Sequence, residues 1–138
     1  MTGAAIRDLG QLLRTLEPAR EPGVVVFAAL APGASMPAVD AIATFREREG
    51  HTIVVEESAA RAAGITPLFR AAWITLTVNS DLAAVGLTAA VSGALAAAGI
   101  ACNVIAAAYH DHLFVPVEQA DYAMAVLGEL AAQARIRA

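Results

Sequence analysis

The sequence predicts an α+β protein of two successive modules, residues 1–66 and 67–138, built on antiparallel sheets. Three observations carry that reading. First, Trp73-Ile74-Thr75-Leu76-Thr77-Val78 alternates with the two-residue period of a half-buried strand, and the residues after it continue in the order α-β-β-α. Second, His51 to Ala59 aligns with His112 to Ala120 at a constant offset of 61, each a strand feeding an acidic helix start. Third, the opening strands at Val24 and Trp73 are offset by only 49, so the first module is 12 residues shorter between its first and third strands. A parallel crossover needs about a dozen residues, so the first module is expected to lack its crossover helix.

Taken in order, residues 5–16 place Ile6, Leu9, Leu13 and Leu16 on one face of an amphipathic helix, which Pro18 ends. That helix is expected to cover the gap left by the missing crossover. Val24 to Phe27 is apolar at every position, the pattern of a strand buried on both faces. Residues 32–37 form a Pro/Gly loop. Residues 41–47 and 52–56 are strands joined at Glu49-Gly50, and residues 58–63 are a short helix closed by Gly64. In the second module Asn79-Ser80-Asp81 supplies capping side chains to a helix expected from Leu82 to Ala98, which Gly99 stops. Residues 101–107 and 112–115 are strands around a turn at Tyr109-His110-Asp111, expected to set Ala108 opposite His112. A last helix from Glu118 carries an apolar stripe of Ala120, Ala123/Met124, Leu127, Leu130/Ala131 and Ala134 and finishes in Arg135 and Arg137.

Composition excludes several classes. The 138 residues carry nine cations, all Arg, against thirteen acids, a net charge of −4 with no basic run, which argues against nucleic acid as a partner. Hydrophobic content is 58%, but 35 residues are Ala, which raises mean hydropathy while burying little area. Leu82 to Tyr109 has no formal charge over 28 residues. Gly99, Asn103 and the change to a Val/Ile pattern interrupt it, and flanking cation clusters are missing, so a membrane span is not expected. The single cysteine, Cys102, has no internal disulfide partner, and the N-terminus lacks a signal-peptide core, so the cytoplasm is expected. Charged residues are only 16%, and open strand edges invite pairing, so a homodimer is expected.

The second half also resembles a known family. Residues 80–95 (SDLAAVGLTAAVSGAL) are similar to the loop and first helix of an ACT domain, and Gly99 to Ile105 to its second strand. Tyr109 to Pro116 (YHDHLFVP) resembles the hairpin and third strand of small bacterial tandem ACT proteins, and Thr44 to Gly50 the first module of that subgroup. Animal cytosolic arginine sensors contain modules similar to the second half. The resemblance implies two ferredoxin-like βαββα modules with helices on one face, and an amino-acid-binding regulatory role exercised through assembly or contact with a regulated protein. It places the ligand at Asn79, Ser80, Asp81, Leu82, Val85, Gly86, Leu87 and Thr88, with Cys102, Asn103 and Val104 on the neighbouring strand.

The residues themselves allow both a ligand site and something plainer. A helix N-terminus suits a carboxylate, Asp81 could face an ammonium, and Asn103 could orient the ligand. Ser80 and Asp81 could equally be simple caps. Gly86 inside a helix, costly by about 1 kcal/mol, calls for some close approach. His110-Asp111-His112 has ligand-type residues, but in the expected register the two rings diverge, so no metal is expected and no cofactor motif is present. Cys102 lies in an apolar strand and reads as a packed side chain rather than a nucleophile. No catalytic constellation emerges. The alternatives to a ligand-binding module are an interaction module with no ligand and, less favoured, a small metal-dependent enzyme.

Overall fold

A computed structural model describes residues 4–137. In chain order the elements are α1 (Leu9–Arg14), β1 (Pro18–Arg20), β2 (Val25–Leu30), β3 (Ala43–Glu47), β4 (Gly50–Glu56), α2 (Glu57–Ala62), β5 (Phe69–Leu76), α3 (Leu87–Ala97), β6 (Asn103–Ala106), β7 (Asp111–Pro116) and α4 (Ala120–Ile136), the last preceded by a 3-10 turn at Val117–Gln119. They form two compact units. One is Pro22–Ala72; the other joins Met1–Glu21 to Trp73–Ala138.

In the unit Pro22–Ala72 the strand order is β3-β4-β2-β5. β2 lies antiparallel to β4 with Val26 opposite Val55 and Ala28 opposite Ile53, and to the first residues of β5 with Phe27 opposite Phe69. The hairpin of β3 and β4 closes with Glu47 opposite Gly50, so its turn is Arg48-Glu49, one residue before the expected position. Gly50 is needed for a different reason than the turn. Its φ is +141°, and a Cβ there would stand 2.0 Å from the carbonyl oxygen of Leu30. Residues 31–42 contain no helix, as the length comparison of the two modules requires. Val39 and Ala41 from that connection pack instead on the core of Val26, Ala28, Ile53, Val55 and Ala60. Arg70 and Glu57 tie β5 to α2 through a two-pronged ion pair.

In the other unit the order is β1-β5-β7-β6. β1 pairs antiparallel with the end of β5, Pro18 opposite Leu76 and Arg20 opposite Ile74. Nothing in the local pattern announced it: three residues after a proline carry no periodicity, and β5 supplies their partner. Ile74, Leu76 and Val78 are buried on one side of the β5 segment, as the alternation required. Leu87, Val91 and Leu95 of α3 and Ala123, Leu127 and Ala131 of α4 are buried with them.

Three expectations are corrected in this unit. α1 is six residues long, capped by Asp8, whose carboxylate accepts the Gln11 N–H at 2.8 Å. It packs on α4 and α3, with Leu12 and Leu16 buried, and so does not serve the first module's gap. The helix expected from Leu82, α3, begins at Leu87. Finally, the β6–β7 hairpin sets Ile105 opposite His112 and Ala106 opposite Asp111. The Ala107 N–H donates to the His110 carbonyl at 3.1 Å, so Asp111 opens β7 instead of sitting in the turn.

Candidate functional site

The late start of α3 leaves an irregular connection at residues 77–86, and its shape comes from contacts far away in sequence. The Ile6 N–H donates to the Asn79 carbonyl and the Asp81 N–H to the Ile6 carbonyl, both at 2.8 Å, which holds residues 79–81 extended. Asp81 then turns the chain on itself by accepting the Ala83 N–H at 2.7 Å. Gly86, at φ +105°, redirects it into α3 as the residue preceding the helix. A Cβ on Gly86 would meet Leu9 Cδ2 at 2.9 Å, so what approaches it is a side chain of this chain, and the glycine precedes the helix instead of interrupting it as expected.

This connection encloses a cavity of about 130 Å³ lined by Ser80, Asp81, Leu82, Ala84, Gly86, Leu87, Thr88, Ala106 and Asp111. Six of the expected residues therefore meet: Ser80, Asp81, Leu82, Gly86, Leu87 and Thr88. Asn79 and Val85 belong to the same loop without lining the cavity, and Val85 is exposed. Cys102, Asn103 and Val104 lie outside it. β6 reaches the cavity through Ala106, and Asn103 sits opposite Phe114 further along the strand.

Sequence reasoning missed three lining residues, Ala84, Ala106 and Asp111, of which Asp111 alone carries a charge. It is buried at 7% exposure, and its carboxylate accepts a hydrogen bond from the Ser80 hydroxyl at 3.1 Å. It comes under the loop because Ile105, three residues before the expected Ala108, faces His112, which places Asp111 in β7 instead of the turn. Asp81, by contrast, is engaged already, through the Ala83 N–H and through Arg7 Nε at 3.4 Å. No side chain caps α3, so its start keeps a partial positive charge, and Gly86, Leu87 and Thr88 at that start line the cavity. An uncapped helix start and a buried carboxylate thus flank one small space.

The two histidines point to different partners. His110 Nδ1 lies 3.3 Å from the Val78 carbonyl. His112 Nδ1 accepts the Trp73 indole N–H at 3.0 Å, and that indole also stacks with Phe114. Burial lowers the His112 pKa, with His110 adding to the effect while Asp111 and Glu21 oppose it. Burial likewise pushes the Cys102 thiol up, which keeps it protonated and unreactive. Among the described residues no group of three His, Cys, Asp or Glu is placed to hold a metal ion, and no helix is long and apolar enough to cross a membrane.

ACT domain family models match residues 4–72 and 69–129. A solved structure of VC0802 from Vibrio cholerae, described as a protein of unknown function and possible transport protein, is 44% identical, with 89% of this chain and 95% of that one covered and a TM-score of 0.78. Protein Atu0741 from Agobacterium tumefaciens is 18% identical, covers 84% and 89%, and has a TM-score of 0.66. The regulatory subunit of aspartate kinase from Thermus flavus shares the fold at 13% identity, covering 82% and 95%, with a TM-score of 0.58. No curated protein matches the chain. The paired β-hairpins, the shared strand order and the two successive family matches agree, and the chain belongs to the ACT domain family, with two such domains in tandem.

Proposed function

We propose that the chain is a regulatory module that binds a free amino acid in the cavity between residues 80–88 and Asp111, and answers by changing its assembly or its contact with a regulated protein. The observation that carries the reading is the pairing of opposite charge preferences across about 130 Å³: the uncapped start of α3 on one side, the Asp111 carboxylate on the other. The helix N–H groups suit an α-carboxylate, and Asp111 suits an α-ammonium. Asp111 takes the role that the sequence alone gives to Asp81, because Asp81 is held by Arg7 and its own turn. Pockets for drug-sized ligands run from about 300 Å³ upward, so this one suits a small amino acid.

The chain acts as a homodimer in this reading. β6 is the last strand of its unit, and an edge strand bearing Asn103, Val104 and Ile105 presents backbone groups for pairing with a second copy. Asn103 and Val104 then act at that junction, beside the cavity and not inside it. In the same reading the module boundary lies between residues 66 and 67, and the setting is the cytoplasm.

A melting-temperature panel over all proteinogenic amino acids tests the ligand. At a hundred times Kd, selective binding adds about 2.7 kcal/mol and raises Tm by roughly 2–8 °C. Asp111→Asn keeps the shape of the side chain, removes the charge and should erase the shift. If no amino acid moves Tm, the interaction-module reading replaces this one.

A further inference from the structure

We infer that residues 4–9 form a latch that holds the cavity loop in place, so that the state of the N-terminal segment sets whether the cavity exists. This goes beyond ligand binding, and it stands whatever occupies the cavity. Three independent contacts converge on the loop from a segment of four residues. Ile6 exchanges two backbone hydrogen bonds with Asn79 and Asp81, both at 2.8 Å. Arg7 Nε lies 3.4 Å from Asp81 Oδ2. The Leu9 side chain occupies the space beside Gly86, where even a methyl group would stand at 2.9 Å.

Apart from these contacts, the start of the loop is held by the Ser80 hydroxyl on Asp111 and by His110 against the Val78 carbonyl, while its outer part is exposed. Leu82 and Val85 are 69% and 83% exposed, so they contribute almost no burial. Its own hydrogen bonds, from Ala83 to Asp81 and from Ala84 to the Asp81 carbonyl, close a local turn and do not fix that turn to the sheet. The latch itself is short, ends at the first residue of α1, and carries its charge on an exposed Arg7. Anything that engages Arg7 or displaces Ile6 therefore releases Asp81 and loosens the cavity wall. By reciprocity, whatever orders the loop also orders the N-terminal segment, which makes that segment the route by which occupancy is reported outward.

Hydrogen exchange on the whole chain, with no ligand added, is the test. Arg7→Ala removes one exposed ion pair and should speed exchange across residues 79–86 by about two- to five-fold. Ile6→Pro combined with Arg7→Ala also removes the donor to Asn79 and should raise those rates five-fold or more, with α3 and α4 unchanged. A smaller change in the double variant, or one spread equally over α3 and α4, overturns the latch. Because no amino acid is involved, a failure here is separate from a failure of the melting panel.

Discussion

Gly86 and Gly93 lie seven residues apart and should respond to alanine with opposite signs. Gly86 has φ +105° and Leu9 against its α-carbon, so Gly86→Ala forces a left-handed alanine into an occupied space. A loss of about 1–3 kcal/mol in denaturant unfolding is expected. Gly93 is inside α3, and a methyl group there meets nothing within 4 Å. Gly93→Ala should therefore gain about 0.5–1 kcal/mol through the unfolded state and helix propensity. His112 sets a further expectation at this scale. Its pKa is lower in the folded chain, so the unfolded chain binds the proton more readily, and stability rises with pH. The contribution is complete above the ordinary histidine pKa of about 6.5 and falls away as pH drops below it toward the folded-state value. Protonation would also aim an Nδ1 donor at the Trp73 indole donor. His112→Gln should flatten the acid limb of a stability–pH profile; an unchanged limb assigns it to other groups.

At the scale of elements, what was legible followed from period and punctuation. Only the second half of β5, from Trp73, and the stripe of α4 were readable, because each repeats one pattern over enough residues, whereas Phe69 to Ala72 carry no alternation; Gly64 and Gly99 closed their helices as glycines do, at φ +69° and +75°. The missing crossover was readable as a difference in length. What was not legible depended on partners elsewhere in the chain. Leu82 to Gly86 has good helix composition, yet Ile6 holds the preceding residues extended and Gly86 reverses the backbone, so α3 waits until Leu87. The register of β6 on β7 needed three-dimensional packing, since Ala106, Ala107 and Ala108 fit any of several turns equally well. Asp111 was hidden by that degeneracy alone. Within the first module, Val39 packs half-buried on the core of Val26, Ala28, Ile53, Val55 and Ala60, so Val39→Asp sets a carboxylate against that core. That variant should lose about 2–4 kcal/mol, measured by urea unfolding, whereas Met36→Asp on the same connection, already 48% exposed, should lose less than about 0.5.

For the molecule as a whole, low charge and an open β6 edge make assembly the property to measure first. Light scattering at micromolar concentration should give about twice 14.1 kDa. Ile105→Lys, which puts a charge on that edge, should shift the chain toward monomer; a monomeric parent removes the dimer altogether. The unit that carries the cavity is discontinuous, built from residues up to Glu21 and from Trp73 onward, while Pro22–Ala72 is made of a single stretch. During synthesis the intervening stretch is complete first. The early N-terminal segment, with Leu12 and Leu16, must wait with its apolar side chains unburied until α4 emerges. Closing it then spans nearly the whole chain, because Arg135 Nε donates to the Arg14 carbonyl at 2.9 Å. Such long-range closure is slow, so refolding should show two phases, with Trp73 fluorescence, which reports on the later-forming unit, dominated by the slower one.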